Sequence, residues 1–282
     1  MPTEIKAYRN DIEAWRAQMD QSIRAENSWL ALVALLWLQQ GEQHLQRTED
    51  GLLQFSESVL PDWLGSFTLT GEQVSFEPNP EMEVIINGKP AHKKLLASDA
   101  DPEPDFIEFD HLRFVVVRRG PRVGLRVWDN DRPERFSFPK RSWFPINPEM
   151  RLRASMRKTA SSQTITIPDV LGNSSEEDVL GEIEFGLGGE TFRLQALESS
   201  EGRAFVIFAD LTNGSTTYPG GRFLSVDIGD MDDLTIDFNR AFNPPCAFTS
   251  YATCPLPPAA NHLSIEIPAG ERFLLPQSHD SD

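Results

Sequence analysis

The hydrophobic period of this chain changes once, near residue 48, and that change limits the possible folds more than any motif does. Before it, Ile5, Tyr8, Ile12, Trp15, Met19 and Ile23 recur at three- and four-residue steps with charges between them, the spacing of one helix face. Asn27 or Ser28 offers a cap for a second helix through the apolar run 29–38, and Gly41 suits its end. Residues 1–48 therefore predict an N-terminal helical hairpin packed on the main domain. Beyond them the period is two: Phe67 and Leu69 alternate with Thr68 and Thr70, Gly71 makes a turn, and Val74 and Phe76 alternate again. Val84-Ile85-Ile86 ends at Asn87-Gly88, another turn pair. Further strands are expected at 106–109, 112–117, 123–128, 151–156, 163–167, 181–186, 190–197, 203–208, 222–228, 233–238 and 262–267. Many short strands without alternating helices predict a mainly β fold, an antiparallel β-sandwich or barrel-like meander over residues 49–275, and not a doubly wound nucleotide-binding sheet. The polar end 276–282 reads as a flexible tail.

A chain of 282 residues can bury a core without disulfides or metals, and its 39% hydrophobic content is that of a globular protein. The 43 carboxylates against 26 Lys and Arg leave a net charge of −17, which repels nucleic acid phosphates and anionic membrane surfaces. Both partners are set aside. The apolar run 29–38 is shorter than the ~18 to 20 residues a membrane helix needs, and the mixed charges ahead of it do not make a signal peptide. Two cysteines, Cys246 and Cys254, are too few for a secreted disulfide framework, so a cytoplasmic location is expected.

Familiar catalytic motifs are absent: no Gly-x-Ser-x-Gly elbow, His-Glu-x-x-His, Walker loop or Cys-x-x-Cys occurs. Gly186-Leu187-Gly188-Gly189 lies between two strand-like runs and reads as a hairpin turn. Two polar stretches stand out. Residues 210–222 follow an apolar strand and carry Tyr218 and Arg222 beside Gly220-Gly221. Residues 237–258 have neither helical nor strand period, hold five prolines, and carry Asp237, Asn239, Arg240, Asn243 and Tyr251 as well as both cysteines. Three readings of the second loop stay open. Cys246, Cys254 and His262, with Asp237, bind a metal, although seven-residue gaps are loose for a zinc site. Alternatively the cysteines are a disulfide or redox pair. In the third reading they are buried packing residues, and Arg222, Asp237, Asn239 and Asn243 tie the loops together.

The run Thr217-Tyr218-Pro219-Gly220-Gly221-Arg222-Phe223-Leu224, the stretch from Asp237 to Thr249 containing Asn243-Pro244-Pro245-Cys246, and Cys254-Pro255-Leu256-Pro257-Pro258 with Asn261 together resemble a C-terminal signature. It is that of the bacterial and archaeal family catalogued as domain of unknown function 1684. Trp29 to Gly41, Arg118 to Asp129 and Trp143-Phe144-Pro145 through Ala154 resemble it too, so the likeness covers roughly residues 8–274. The resemblance implies a shared fold. It implies no activity, cofactor or catalytic residue.

Chemistry alone points to a small-molecule pocket, for binding or catalysis, where loops 210–222 and 237–258 meet. Arg222 and Arg240 would form a fork for an anionic ligand, Asp237 a general base or anchor, Asn239 and Asn243 polar contacts, and Tyr218 and Tyr251 amphipathic walls. A second class of function is a non-catalytic scaffold that uses the helical hairpin and the acidic surface for self-association or a protein partner.

Overall fold

The computed structural model describes residues 2–48, 51–58, 63–159, 163–199 and 202–273. The expected tail, 276–282, lies outside the described residues. Residues 22–138 form one compact unit, and residues 1–21 with 139–282 form the other. The boundaries of this division fall at 21/22 and 138/139, and strand periodicity on both sides of 138 gives no signal of the second.

The expected antiparallel β class holds in both units. In residues 22–138 the strands are β1 (Leu32–Trp37), β2 (Gly41–Arg47), β3 (Leu53–Ser56), β4 (Trp63–Thr70), β5 (Gln73–Pro78), β6 (Ile85–Ile86), β7 (Lys89–Pro90), β8 (Lys94–Leu95), β9 (Phe106–Phe109), β10 (Leu112–Arg119) and β11 (Arg122–Asp129). They form one sheet in the order β1-β11-β10-β9-β6-β7 and another in the order β3-β2-β4-β5-β8. Alternate residues of both sheets, including Phe67, Phe76, Phe114, Leu125 and Val127, share one core, which makes this unit a sandwich. The turns use the residues that the sequence nominates: Gly71, Asn87 and Gly88 all have positive φ.

The expected helical hairpin is a helix followed by a strand. α1 (Pro2–Ser22) forms as its spacing predicts, whereas residues 32–37 are β1, paired antiparallel with β11 from Leu32↔Trp128 to Trp37↔Gly124. A short run that is apolar all round suits a buried strand as well as a buried helix, and period alone cannot separate them. Gly41, with φ +100°, opens β2 and does not end a helix.

The other unit carries β12 (Arg151–Lys158), β13 (Thr164–Pro168), β14 (Ser174–Leu187), β15 (Glu190–Glu198), β16 (Arg203–Phe208), β17 (Arg222–Asp227) and β18 (Leu234–Asp237). Their order is β17-β16-β15-β14-β12-β18, with β13 added on β14, and the end strands β17 and β18 approach each other so that the sheet nearly closes as a barrel. Phe185, Phe208 and Phe238 meet edge-to-face inside it. Gly188 and Gly189, at φ +62° and +86°, make the β14–β15 hairpin turn as expected. The strand expected at 262–267 is not one: among the described residues it makes a single parallel bridge, Ala209↔His262. Its backbone instead serves buried side chains, with Ile267 N–H donating to Asp210 at 3.2 Å.

Candidate functional site

Loop 210–222 closes on itself before it meets anything else. Asp210 Oδ1 accepts from Thr212 N–H (2.9 Å) and Thr212 Oγ1 (2.6 Å), and Asn213 Nδ2 donates to the Tyr218 carbonyl at 2.6 Å. This polar knot delivers Arg222 to the first position of β17 with its side chain fully buried. The guanidinium donates to Asp210 Oδ2 at 2.7 Å, to Ile267 O at 2.9 Å and to Ala269 O, and stands 5.2 Å from the Phe208 ring. Burial pulls the Arg222 pKa down, and Asp210 opposes it. Arg222 is therefore a sealed structural cation and not the exposed fork expected of it; Asp210, equally buried, has taken the place of a ligand anion.

Asp237, Asn239 and Arg240 turn to α1. Tyr8 Oη donates to Asp237 at 2.9 Å, Asn239 N–H and Nδ2 donate to Asp237 Oδ1 at 3.1 and 3.0 Å, and Asn239 exchanges bonds with the Asn147 backbone at 2.8 and 2.9 Å. Burial and the adjacent Asp237 push the Tyr8 phenol far above its ordinary range. Bonded to three donors and with its side chain 11% exposed, the Asp237 carboxylate anchors Tyr8 of α1 and the Asn239 turn. Arg240 bonds Asp11 at 2.5 Å and lies over Trp15 at 5.4 Å.

Asn243 belongs to another buried network. Its N–H donates to Glu271 Oε2 at 2.7 Å and its Nδ2 to Arg272 O at 3.1 Å, while Arg141 clasps Glu271 through Nε at 2.7 Å and Nη2 at 2.5 Å. Burial raises the Glu271 pKa, and Arg141 and the Asn243 N–H oppose it. Arg141 also lies about 5 Å from the Trp143 and Phe248 rings, at 5.2 and 5.1 Å. Arg141 and Glu271 escaped the sequence reading, and Tyr8 entered it only as part of a helix face, because their partners lie far away in the chain. Near Arg141 the sequence offered only the Trp143-Phe144-Pro145 stretch.

The two nominated loops do meet, at the cysteines. A Cβ on Gly221, whose φ is +84°, would lie 2.4 Å from Pro257 Cγ, and one on Gly220 would lie 2.7 Å from the Tyr218 ring and 3.4 Å from Leu256. Only glycine permits this approach. Tyr218 is half-buried, and its pKa is pushed up to about 12, first by burial and then by the nearby Cys246 and Cys254 sulfurs. Cys246 N–H donates to Cys254 Sγ at 3.1 Å, and Cys254 N–H donates to Cys246 Sγ at 3.3 Å. Tyr251 is also half-buried in this loop, with its N–H on Thr249 Oγ1 at 3.2 Å. His262 is exposed and within 3.3 Å of the Pro257 carbonyl, and no group of three metal-ligating side chains forms among the described residues. The looser metal reading of Cys246, Cys254 and His262 thus loses its third ligand.

In the 22–138 unit a groove of 710 Å³ is lined by Glu72, Ser98, Asp101, Asp105 and Arg118 among others. Two of its acids are already occupied: Asp105 holds Lys94 at 2.7 Å, and Asp101 holds Ser98 and Arg118.

A family model described as Protein of unknown function (DUF1684) matches residues 136–272. No curated protein matches the chain. Among solved structures, an uncharacterized protein of Haloarcula marismortui determined by solution NMR is 31% identical. That match covers 50% of this chain and 80% of the other, with a TM-score of 0.42. No helix among the described residues is long and apolar enough to cross a membrane.

Proposed function

Residues 136–272 belong to the DUF1684 family, whose description assigns no function, and from their own geometry we propose that they form a small-molecule site, for binding or catalysis, at the junction of loops 210–222 and 243–258. One observation carries this reading: the close packing of Gly220 and Gly221 on Leu256 and Pro257, which holds Tyr218 beside Cys246 and Cys254 on a proline-braced floor. Rigid loops that present half-exposed aromatic and thiol groups are what a binding site needs, because little ordering entropy remains to be lost on binding. Tyr218 and Tyr251, both half-buried, would supply amphipathic walls, and Cys246 is a part-exposed thiol near Tyr218.

The nearby cations are spent on internal partners, Arg222 on Asp210 and Arg141 on Glu271. The ligand class this site favours is accordingly neutral and partly aromatic; Arg240, shared with Asp11, is the remaining contact for an anion. We place this activity in the cytoplasm on the low cysteine count. The scaffold alternative loses its helical hairpin, since residues 32–37 are β1 and Tyr8 of α1 is bonded to Asp237.

The test is a thermal-shift screen of neutral aromatic and anionic metabolites against wild type and Tyr251→Ala. Arg222→Ala is unsuitable because it strands a buried carboxylate and destabilises the fold directly. Compounds that raise the wild-type Tm and lose their effect in Tyr251→Ala support the site. A screen in which every stabiliser acts equally on both proteins removes it.

A further inference from the structure

We propose that Cys246 and Cys254 are a reversible modification site: a dithiol that closes to an intramolecular disulfide by exchange with a small disulfide such as oxidised glutathione. The inference is independent of any ligand bound at the loop junction. It starts from the reciprocal contacts, in which each cysteine's N–H reaches the other's sulfur, at 3.1 and 3.3 Å. Such two-way contact puts each sulfur against the other cysteine's backbone, the neighbourhood in which a disulfide, whose Cα atoms lie ~4.4–6.8 Å apart, can form.

The backbone on either side is already fixed. The Cys246 end is held by a 3-10 turn, Pro245–Ala247, with Phe248 and Thr249 N–H both donating to Pro245 O. The Cys254 end is docked on the end of β13: Val170 N–H donates to Cys254 O at 3.1 Å and Leu256 N–H to Pro168 O at 2.7 Å. Both cysteines are thus held against each other by hydrogen-bonded backbone before any bridge forms. The two sulfurs also differ in access. Cys254 is 4% exposed, whereas Cys246 is part-exposed, which makes Cys246 the attacking thiol and Cys254 the resolving one.

The exchange balances in two steps. The Cys246 thiolate, having released its proton to solvent, attacks one sulfur of RS–SR; the S–S bond breaks, Cys246–S–S–R forms, and RS⁻ leaves and takes up a proton. Cys254 then loses its proton and attacks the Cys246 sulfur, expelling the second RS⁻, which is protonated in turn. The protein gives up two electrons and two protons, and one small disulfide becomes two thiols.

The experiment equilibrates the folded full-length protein with oxidised and reduced glutathione in different ratios, blocks remaining thiols with iodoacetamide in denaturant, and weighs the product. Oxidising mixtures should give an unalkylated species lighter by two hydrogens, and reducing mixtures should return the doubly alkylated one. Cys254→Ser should stop at a glutathione adduct on Cys246, while Cys246→Ser should stay unmodified while folded. Wild type that remains doubly alkylated in the most oxidising mixture, or that only accumulates glutathione adducts, overturns the proposal. Neither outcome bears on the Tyr251→Ala screen, so the two readings fail separately.

Discussion

At the residue scale, what a side chain does here is decided by partners the sequence does not place next to it. Arg222 looked like a ligand fork because it follows two glycines; the glycines instead let the chain pass Pro257, and the arginine goes inward to Asp210. Such a pair makes a poor binding group and an exacting structural one, because removing either partner strands the other charge, typically at about 3–5 kcal/mol. Tyr218 offers a sharper test. Its folded pKa lies above its ordinary value, from 10.0 to about 12, so the folded state holds the phenolic proton more tightly than the unfolded state does. That contribution is whole below pH 10.0 and is lost as the pH rises towards 12. The stability of wild type relative to Tyr218→Phe should therefore be level below pH 10.0 and fall above it, as read from urea denaturation midpoints on both sides of that pH. A difference that stays constant throughout would mean that the ring is not desolvated beside the thiols.

At the element scale, period and turn chemistry were legible and pairing partners were not. Phe106–Phe109 and Arg203–Phe208 fall where alternation puts them, and the Asn87-Gly88 and Gly188-Gly189 turns follow from residues that tolerate positive φ. The run 29–38 misled because it has no polar face to report a period, and only its register on β11 decides its state. That register leaves a mark on another residue. A Cβ at Gly124 would lie 2.6 Å from the Leu36 carbonyl oxygen and 2.9 Å from the Trp37 ring, so β11 accepts β1 only with glycine there. Gly124→Ala should push the strands apart and cost about 1–3 kcal/mol, the usual range for overpacking. Equilibrium denaturation measures this directly. If residues 32–37 were helical, the same substitution would meet no such neighbour, and an unchanged midpoint would argue against the strand.

At the scale of the whole molecule, the −17 charge and the buried ion pairs are separate matters. The acids that set the net charge are largely exposed, as at Glu176, Glu177, Asp230 and Asp232, and they govern encounter and solubility. Asp210, Asp237 and Glu271 are buried and tie distant segments together. Two of those ties depend on the first 21 residues. Tyr8 holds Asp237, and Asp20 accepts the Arg141 N–H at 2.9 Å, while Ile12 is wholly buried and Trp15 meets Trp143 edge-to-face at 5.3 Å. Residues 139–282 alone would thus expose the Asp237–Asn239 network and the Trp143 face, leaving polar groups that α1 now satisfies. Joining residues 1–21 to residue 139 by a flexible linker should restore them. The expected result is that the 139–282 fragment is cleaved readily by protease and shows a weak near-ultraviolet dichroism signal, whereas the linked version resists cleavage and unfolds in one cooperative step. Equal resistance in both would show that the barrel-like sheet is sufficient and that α1 merely rests on it. The distinction matters for the loop junction, because Asn239, Arg240 and Asn243 lead directly into Cys246, and their anchoring through α1 and Glu271 fixes where that loop begins.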